Sequence, residues 1–383
     1  MKKPLRLVAC ALLSVAAPPL AAAAPPSVRQ TDAPRADALQ NDAAQPDVPQ
    51  PEAARPLTPE ARRAAARCLK LTLACQLNDG AIVQVAHAGP QAPVLIVPYF
   101  GHYVALAWLA HHQHTQDVGS LAAAEKWLRW CASHQEQDGY WNHWEGTRSQ
   151  YKSLKDCDAW DSSAALYLLV LDRFTAAGGK ASPDMLTAAQ KSLACLERLV
   201  DESGLTIAKP DSPVLFLMDN VESAAGARGA TELFARLDRL EEKQRAEKLH
   251  ARLARALPSY WDPDQSVYAW ARHPSGKADV RLTKAYPDAL AQLFAVAHLS
   301  PNADLFDMLA ARFEPDAGPM AAVGVERWAM AASELGGDRA DAWRGKLIHE
   351  INQFGPDVYS YRPAVALLAL LDGGGVLKPQ TQP

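Results

Sequence analysis

Acidic side chains stand at the start of several apolar segments, and from them the chemistry of the chain can be inferred. The candidates are Asp158, Asp161, Asp219, Glu222, Asp288 and Glu326. Hydrolysis of a glycosidic bond needs such a set, because it uses one protonated and one ionised carboxyl group. As a working hypothesis, Asp161 is the general acid and Asp288 the base that activates water, with Asp219 and Glu222 as further catalytic candidates.

Each of these acids also has a purely structural explanation. Asp158 and Asp161 are three residues apart at a predicted helix start, where either can cap backbone N–H groups. Asp219 and Glu222 have the spacing of a capping box, and Asp288 suits the first turn of a helix. We favour Asp161 as the reacting group because it leads directly into Ser162, Ser163 and a buried run. An apolar neighbour raises the pKa of a carboxyl group, and Trp160 and Tyr286 are neighbours of that kind.

Aromatic and polar residues near these acids are candidates for binding sugar. The loop over residues 137–146 is the densest aromatic stretch, and Trp141, His143 and Trp144 predict a sugar subsite there. A turn whose tryptophans cover the end of the core explains the same residues. His102 is a candidate for binding or proton transfer, with a half-buried structural histidine as the alternative. The other predicted substrate contacts are Tyr99, Asp158, Trp160, Asn220, Tyr286 and Trp328.

Two kinds of helix must position these residues, and they alternate six times along the chain. The first kind is amphipathic and charged on one face, as a solvent-facing helix should be. The second kind is almost free of charge and must be buried on all sides. The predicted outer helices are Ala61–Cys75, Leu121–Ser133, Met185–Val200, Leu240–Leu257, Asn302–Phe313 and Arg339–Gln353. The predicted inner helices are Tyr103–Leu109, Ala164–Leu171, Ala224–Leu233, Ala289–Ala297, Trp328–Ala332 and Ala364–Leu371.

This alternation predicts an all-α fold, an (α/α)6 toroid of six helical hairpins with the apolar helices inside. If the inner helices run parallel, their first residues meet at one mouth. Short apolar stretches at Ile82–Val83, Leu205–Ile207 and Val267–Trp270 indicate a few small strands on the rim. An open solenoid would use the same helix pairs, but the sequence shows no fixed repeat period.

Four segments resemble the sequence blocks of an uncharacterised bacterial family of six-hairpin glycosidase-like proteins. They are Ile96–Tyr103, Asp158–Ser163, Leu217–Glu222 and Tyr286–Ala289, and the resemblance spans roughly residues 79–371. It implies the toroid and the processing of carbohydrate. It does not specify one reaction, because members of this superfamily share the ring and vary the chemistry.

The two ends of the chain predict export. Residues 1–24 have a basic start, a short apolar run from Leu5 to Leu20 and small residues Ala21–Ala24, which is typical of a secretory signal peptide. Residues 25–57 are rich in Pro and Ala and predict a disordered linker. Residues 58–372 then form the toroid, and residues 373–383 a flexible tail. We expect a periplasmic or secreted protein.

The composition of the chain indicates which binding partners are to be expected. A net charge of −4 on 383 residues, without a basic block, argues against nucleic acid. No segment predicts a membrane span, and a carbohydrate is the expected partner. No metal or other cofactor is indicated: His111, His112 and His114 lack an acid or cysteine at ligand spacing. The five cysteines after the signal peptide are best explained as small buried residues. The oligomeric state does not follow from the sequence.

Three functional alternatives stay open beside a hydrolase. A polysaccharide lyase would use Tyr99 or His102 to abstract a proton. Asn220, Arg327 or Arg362 would neutralise the uronate carboxylate. The acid-rich mouth favours a neutral or cationic sugar instead. A terpene-cyclase-like ring is weakly suggested by Asp156 and Asp158, without the further acid that such a motif needs. A non-catalytic carbohydrate-binding envelope protein would keep the aromatic residues alone.

Overall fold

The computed structural model describes residues 57–371 and 375–377. Across those residues, six α-helices form an outer layer, and each presents one buried face. The outer helix over Pro183–Leu199 is capped by Ser182, whose hydroxyl accepts a hydrogen bond from the N–H of Met185. The outer helices are α1 (Pro59–Ala74), α3 (Val118–His134), α5 (Pro183–Leu199), α7 (Leu240–Ala256), α9 (Ala303–Arg312) and α11 (Gly337–Gln353).

Six further helices form the inner layer, and most of their residues are buried. Each follows one outer helix, so the chain builds six hairpins. Contacts join every inner helix to the next and the last to the first, which closes the ring. The predicted (α/α)6 toroid is therefore confirmed. The inner helices are α2 (Pro98–Thr115), α4 (Trp160–Ala176), α6 (Leu217–Arg236), α8 (Leu290–His298), α10 (Val325–Leu335) and α12 (Tyr361–Leu371).

Short antiparallel strands decorate the loops before the inner helices. Bridges at Ile82 and Thr206 and a strand at Val267–Tyr268 fall where the sequence indicates rim strands. The first sheet orders β1 (Pro93–Ile96), β2 (Trp144–Thr147) and β3 (Gln150–Ser153), and β5 (Trp261–Asp262) pairs with β6 (Val267–Tyr268). A third sheet orders β4 (Leu215–Phe216), β7 (Ala271–Arg272) and β8 (Ala278–Asp279).

The core fills the space between the two layers. Large aromatic side chains occupy it, and Trp127 stacks on Trp130 with ring centroids 5.1 Å apart. The cysteines of this part of the chain are buried and unbridged, as the sequence suggests: Cys68, Cys75, Cys131, Cys157 and Cys195.

The closest approach of two inner helices brings the acidic segments together. A Cβ atom on Gly226 of α6 would lie 2.4 Å from the carbonyl oxygen of Ala165 on α4, so only glycine fits. Gly229, almost one turn later, lies against Leu169 in the same way, with a Cβ distance of 3.2 Å. The starts of α4 and α6, which carry Asp161 and Asp219, therefore lie side by side.

The predicted signal peptide, most of the linker and most of the tail lie outside the described residues. The last described segment is a short 3-10 helix at Gly375–Leu377, where the Leu377 carbonyl accepts a hydrogen bond from Arg228 at 2.6 Å. Within residues 57–371 and 375–377, none of the helices combines the length and apolarity needed to cross a membrane.

Candidate active site

The mouth of the ring, meaning the end at which the inner helices begin, holds the acidic residues singled out from the sequence. Asp161 lies in the first turn of α4 and is completely buried. Its Oδ1 accepts a hydrogen bond from the N–H of Ser162, and its Oδ2 one from the hydroxyl of Thr206, both at 2.8 Å. Burial raises its pKa to about 8, with the nearby Glu222 adding to the rise. Because Asp161 has no exposed surface, its placement speaks against direct contact with a substrate.

Asp219 lies in the first turn of α6 and keeps contact with solvent. The residue before the helix is Phe216, and no side chain caps it, so Asp219 and Glu222 do not form the capping box that their spacing allows. Protein encloses Asp219 on most sides, and this burial raises the pKa of its carboxyl group well above the usual value. The neighbouring Asp161 and Glu222 raise that pKa further.

Glu222 lies one turn deeper on α6 and has no exposed surface. Its Oε1 accepts hydrogen bonds from the hydroxyls of Tyr99 at 2.9 Å and Tyr103 at 2.5 Å. Burial raises the pKa of Glu222, while the two tyrosines, Ser162 and the charge of Arg327 act in the opposite direction. This carboxylate is fixed in place but cannot touch a bound ligand.

Asp158 lies just before α4, and its side chain is 20% exposed. Its Oδ2 is 4.0 Å from Nε2 of His143, whose side chain is 11% exposed. Burial raises the pKa of Asp158, and the charges of His143 and Lys209 oppose this rise. Burial raises the pKa of the Tyr286 hydroxyl, and the charges of Asp219 and Asp158 raise it further. Tyr286 is therefore a neighbour of both acids. Asp158, Asp219 and Tyr286 are thus accessible groups of one region.

Asp288 has a structural place in this fold. Its Oδ2 accepts hydrogen bonds from the N–H of Thr283 at 2.7 Å, the hydroxyl of Thr283 at 3.0 Å and the N–H of Lys284 at 3.0 Å. The residue is only 2% exposed. These bonds tie down the chain before α8, which is the capping explanation of this acid. They leave little of the carboxylate available to activate water.

Glu326 is also tied down, in a buried ion pair. Nε and Nη2 of Arg362 lie 2.9 Å from its two carboxylate oxygens, and Nη2 is 3.2 Å from Glu350. Arg362 also donates to the carbonyl of Gly318. This network joins α10, α11, α12 and the loop before α10, and it occupies one of the two arginines that a lyase would need.

His102 and Trp141 lie between the layers and do not face the mouth. Both are fully buried. Nδ1 of His102 accepts a hydrogen bond from Nε1 of Trp127 at 3.2 Å, and burial lowers the His102 pKa to about 3. Trp141 donates to the carbonyl of Cys131 at 2.8 Å and packs on His102. Their burial speaks against the predicted roles in binding.

Trp144 and Trp328 also belong to the packing. Trp144 lies edge-on to Trp130, at 6.0 Å between ring centroids, and starts β2. Trp328 is fully buried and stacks on Trp343 of α11 at 5.1 Å. In the loop over residues 137–146, the tryptophans therefore cover the core, which was the alternative explanation of this stretch.

Asn220 is completely buried and holds the loop that precedes β4. Its Oδ1 accepts a hydrogen bond from the N–H of Thr206 at 2.7 Å, and its Nδ2 donates to the Thr206 carbonyl at 2.9 Å. Further bonds reach the carbonyl of Phe216 and the hydroxyl of Tyr260. Asn220 thus positions Thr206, which in turn binds Asp161.

Trp160 is the predicted aromatic contact that combines exposure with a place beside the acids. It is partly exposed and stacks on Tyr140, with ring centroids 3.7 Å apart and planes 7° from parallel. The backbone N–H of Trp160 donates a hydrogen bond to the carbonyl of Ala208 at 2.8 Å, which fixes the start of α4. Tyr99 is also partly exposed and lies 6.4 Å from the ring of Tyr361.

Two further residues complete this region: sequence reasoning assigned Tyr103 no role of its own, and Arg327 only the role of a cation in a lyase. Tyr103 is fully buried and binds Glu222, and the guanidinium of Arg327 lies 5.2 Å from its ring centroid. The signal for Tyr103 was present, because Tyr99 and Tyr103 are four residues apart and share one face of α2. No sequence signal reveals that Arg327 packs among Tyr103, Phe294 and Tyr361.

No group of three or more potential metal ligands occurs among residues 57–371 and 375–377. His112 illustrates why, since its Nδ1 bonds the carbonyl of Asp117 at 2.8 Å. His111 and His114 are likewise engaged, with the hydroxyl of Ser120 on α3 and the carbonyl of Leu371 at the end of α12.

The fold is shared with several enzymes of known structure. An alpha-amylase from Clostridium perfringens superposes with a TM-score of 0.57 at 10% identity, covering 82% of this chain and 99% of that one. The GH76A alpha-1,6-mannanase from a Salegentibacter species gives 0.53 at 10% identity, covering 83% and 100%. A D-mannose isomerase gives 0.53 at 12% identity, covering 81% and 97%.

These likenesses concern the fold. They confirm the resemblance to six-hairpin glycosidase-like proteins at that level, and two of these structures are of glycoside hydrolases and one of an isomerase. No protein-family model and no curated protein sequence matches the chain. The chemistry must therefore be argued from the site itself.

Proposed function

We propose that this protein is an exported glycoside hydrolase that cleaves a neutral oligo- or polysaccharide, with Asp219 as general acid and Asp158 as base or nucleophile. One observation carries the proposal. Of the acids predicted for the mouth, Asp158 and Asp219 combine solvent contact with a common neighbour, Tyr286. The other four are buried and bound by their own surroundings. This assignment replaces Asp161 and Asp288 in the working hypothesis.

The acid role is supported at Asp219 by its environment. A general acid must carry its proton at the working pH, which requires a raised pKa in a carboxyl group. Burial, Asp161 and Glu222 all raise the pKa of Asp219. The residue nevertheless keeps some contact with solvent, so a glycosidic oxygen can approach it.

The base role is supported at Asp158 by the charge of Lys209. A carboxylate that activates water or attacks carbon must be ionised. The charge of Lys209 favours the ionised form of Asp158 against the effect of burial. His143 lies 4.0 Å away, and burial lowers its pKa, which favours its neutral form. Lys209 is fixed by a hydrogen bond of 3.1 Å from its ammonium group to the carbonyl of Cys157.

Aromatic surfaces beside the two acids suit a sugar substrate. The stacked rings of Trp160 and Tyr140 offer a rigid apolar face, and such faces pack against the C–H side of a pyranose. Tyr286 and Tyr99 are further partly exposed rings of the mouth. The two accessible acids would repel the carboxylate of a uronate, which favours a neutral sugar.

A polysaccharide lyase is the less favoured alternative. It needs a cation free to neutralise a uronate, but Arg362 is bound to Glu326 and Glu350, and Arg327 is 3% exposed beneath aromatic rings. His102, one of its two candidate bases, is buried as a neutral side chain. A binding protein would need no protonated acid beside Asp158, and the raised pKa of Asp219 therefore favours an enzyme.

The test is product release by the purified domain from a panel of alpha- and beta-linked neutral glycans, alpha-1,6-mannan included. Reducing ends and the absorbance of unsaturated uronates are followed together. We expect reducing ends without that absorbance. Asp219→Asn and Asp158→Asn should each lower kcat by at least about 10²-fold. Asp288→Asn is the matched control and should keep most of its activity.

Two results would contradict the proposal. Unsaturated products would make the protein a lyase. Full activity in Asp219→Asn together with inactivity in a folded Asp288→Asn would restore the earlier assignment. Export is tested separately, by determining the N-terminus of the protein recovered outside the cytoplasm, which we expect near residue 25.

A further inference from the structure

Glu222 cannot touch a substrate, yet more side chains are committed to it than to either accessible acid. It has no exposed surface, and its Oε1 accepts hydrogen bonds from both Tyr99 and Tyr103. The Arg327 guanidinium lies 5.2 Å from the ring of Tyr103 and 5.1 Å from that of Tyr361. A glutamate that only filled space would need neither the two hydroxyl donors nor a nearby cation.

These surroundings favour the ionised form of Glu222 against the effect of burial. Two hydroxyl groups donate to a single carboxylate oxygen, which stabilises the charge. Arg327 acts in the same direction through its charge. The second oxygen, Oε2, is buried and makes no hydrogen bond of ordinary geometry with the described residues. Much of the negative charge therefore remains available to act on neighbouring groups.

Asp219 is the neighbour that this charge reaches. The two residues are three apart on α6, so their side chains share one face of the helix. The buried hydroxyl of Ser162 on α4 lies near both carboxyl groups and lowers the pKa of each. One small side chain thus spans the space between the accessible acid and the buried one.

The other charged and titratable groups around Asp219 act less specifically. When Asp161 is ionised, its charge raises the pKa of Asp219 more than that of Glu222 does. The pKa of Asp161 is itself about 8, so at neutral pH Asp161 is mostly protonated and Glu222 is the charged neighbour. Asp158 contributes a weaker effect of the same sign. The remaining groups that interact with Asp219 are the neutral hydroxyls of Tyr99, Tyr260 and Tyr286.

We propose that Glu222 is a positioning residue for the acid: held ionised by Tyr99, Tyr103 and Arg327, it keeps a proton on Asp219. A second negative charge beside a fixed one is unfavourable, so Asp219 retains its proton until that proton is transferred to a leaving group. This inference rests on the proposed acid role of Asp219. Its physical content can still be measured without any substrate.

The experiment is a carbon-13 NMR titration of protein labelled at the aspartate carboxyl carbons. The Asp219 signal is identified by its loss in Asp219→Asn. In Glu222→Gln, which keeps the shape and removes the charge, the titration midpoint of Asp219 should fall by about one pH unit or more. Asp172→Asn is the matched control, because Asp172 is equally buried but lies at the far end of α4. It should leave the midpoint unchanged.

A milder variant protects the test against misfolding. Tyr99→Phe removes one donor to Glu222, weakens its ionised form and should lower the Asp219 midpoint by a smaller amount. An unchanged midpoint in folded Glu222→Gln, or an equal shift in Asp172→Asn, would overturn the proposal. A shifted midpoint in a protein that cleaves no glycan would retain this inference while removing the proposed function.

Discussion

Two clusters of carboxylates each include an acid in the first turn of an inner helix, and their neighbours differ. On one side of the ring, Asp161, Asp219 and Glu222 are surrounded by hydroxyl groups, with Arg327 acting on Glu222 from a distance. On the other side, Glu326 and Glu350 share the guanidinium of Arg362, with two bonds of 2.9 Å to Glu326. Asp161, Asp219 and Glu326 occupy equivalent places in the hairpin repeat, whereas Glu350 lies in the last turn of the outer helix α11.

The difference shows what turns a helix-start acid into a chemical group. A carboxylate that is bound by an arginine through two hydrogen bonds stays ionised, and it serves to join helices. A carboxylate that has only hydroxyl donors keeps a protonation state that nearby charges can shift. The first cluster is therefore where proton transfer is to be expected, and the second is where the ring is held closed.

The largest effect should come from breaking the cluster of Glu326, Glu350 and Arg362. Arg362→Met leaves Glu326 buried and without its cation, so we expect a loss of about 3–5 kcal/mol in the free energy of unfolding. Chemical denaturation measures it. The double variant Arg362→Met with Glu326→Gln should recover part of the loss, because the uncompensated charge is gone. A loss below about 1 kcal/mol would show that the pair does not hold the ring.

A smaller effect should follow from separating α4 and α6, the helices that carry Asp161, Asp219 and Glu222. Gly226→Ala places a methyl group 2.4 Å from the Ala165 carbonyl oxygen, so α4 and α6 must move apart. We expect a loss of about 1–3 kcal/mol, measured by thermal or chemical unfolding. The control is Gly345→Ala on α11, where an added Cβ meets no atom within 4 Å. It should stabilise the protein by up to about 1 kcal/mol. Equal behaviour of the two variants would mean that the close approach is not required.

The third effect concerns the pH dependence of stability. Asp161 has a pKa of about 8 in the folded protein, against an ordinary value of 3.8. Between these values the unfolded chain has lost its proton while the folded protein keeps it, so the free energy of unfolding falls as the pH rises from about 4 to about 8. Asp161→Asn removes this contribution. The variant should gain on the order of 1 kcal/mol relative to the wild type for each pH unit between about pH 5 and pH 7. A constant difference over that range would contradict the burial of a protonated acid.

The fold could be predicted from the sequence because it depends on patterns that a helix imposes. Apolar segments such as Ala164–Leu171 have no polar face, and they can be buried only inside a ring or bundle. The alternation with charged helices then specifies the hairpins. The true extent of the inner helices was harder to see, since α2 begins at Pro98 and includes polar residues.

The site could be predicted only in part, because exposure depends on loops from distant parts of the chain. Asp158 and Asp219 were among the candidates, but nothing in the sequence distinguishes them from Asp288 or Glu326. Thr283 and Arg362 make that distinction, by binding those two acids in the folded state. The sequence predicts Trp328 to be a mouth residue because it lies near the start of an inner helix. In the structure it stacks on Trp343 of the next helix and belongs to the core.

The parallel inner helices have an electrical consequence for the reaction. Six helix N-termini meet at the mouth, and each contributes a partial positive charge of about half an elementary charge. The transition state of glycoside hydrolysis resembles an oxocarbenium ion and is itself positive at the sugar ring. A ring of this design therefore opposes the charge that develops on the substrate. The abundance of acids at the helix starts is the expected counterweight, and the field at the anomeric carbon depends on how many of them are ionised.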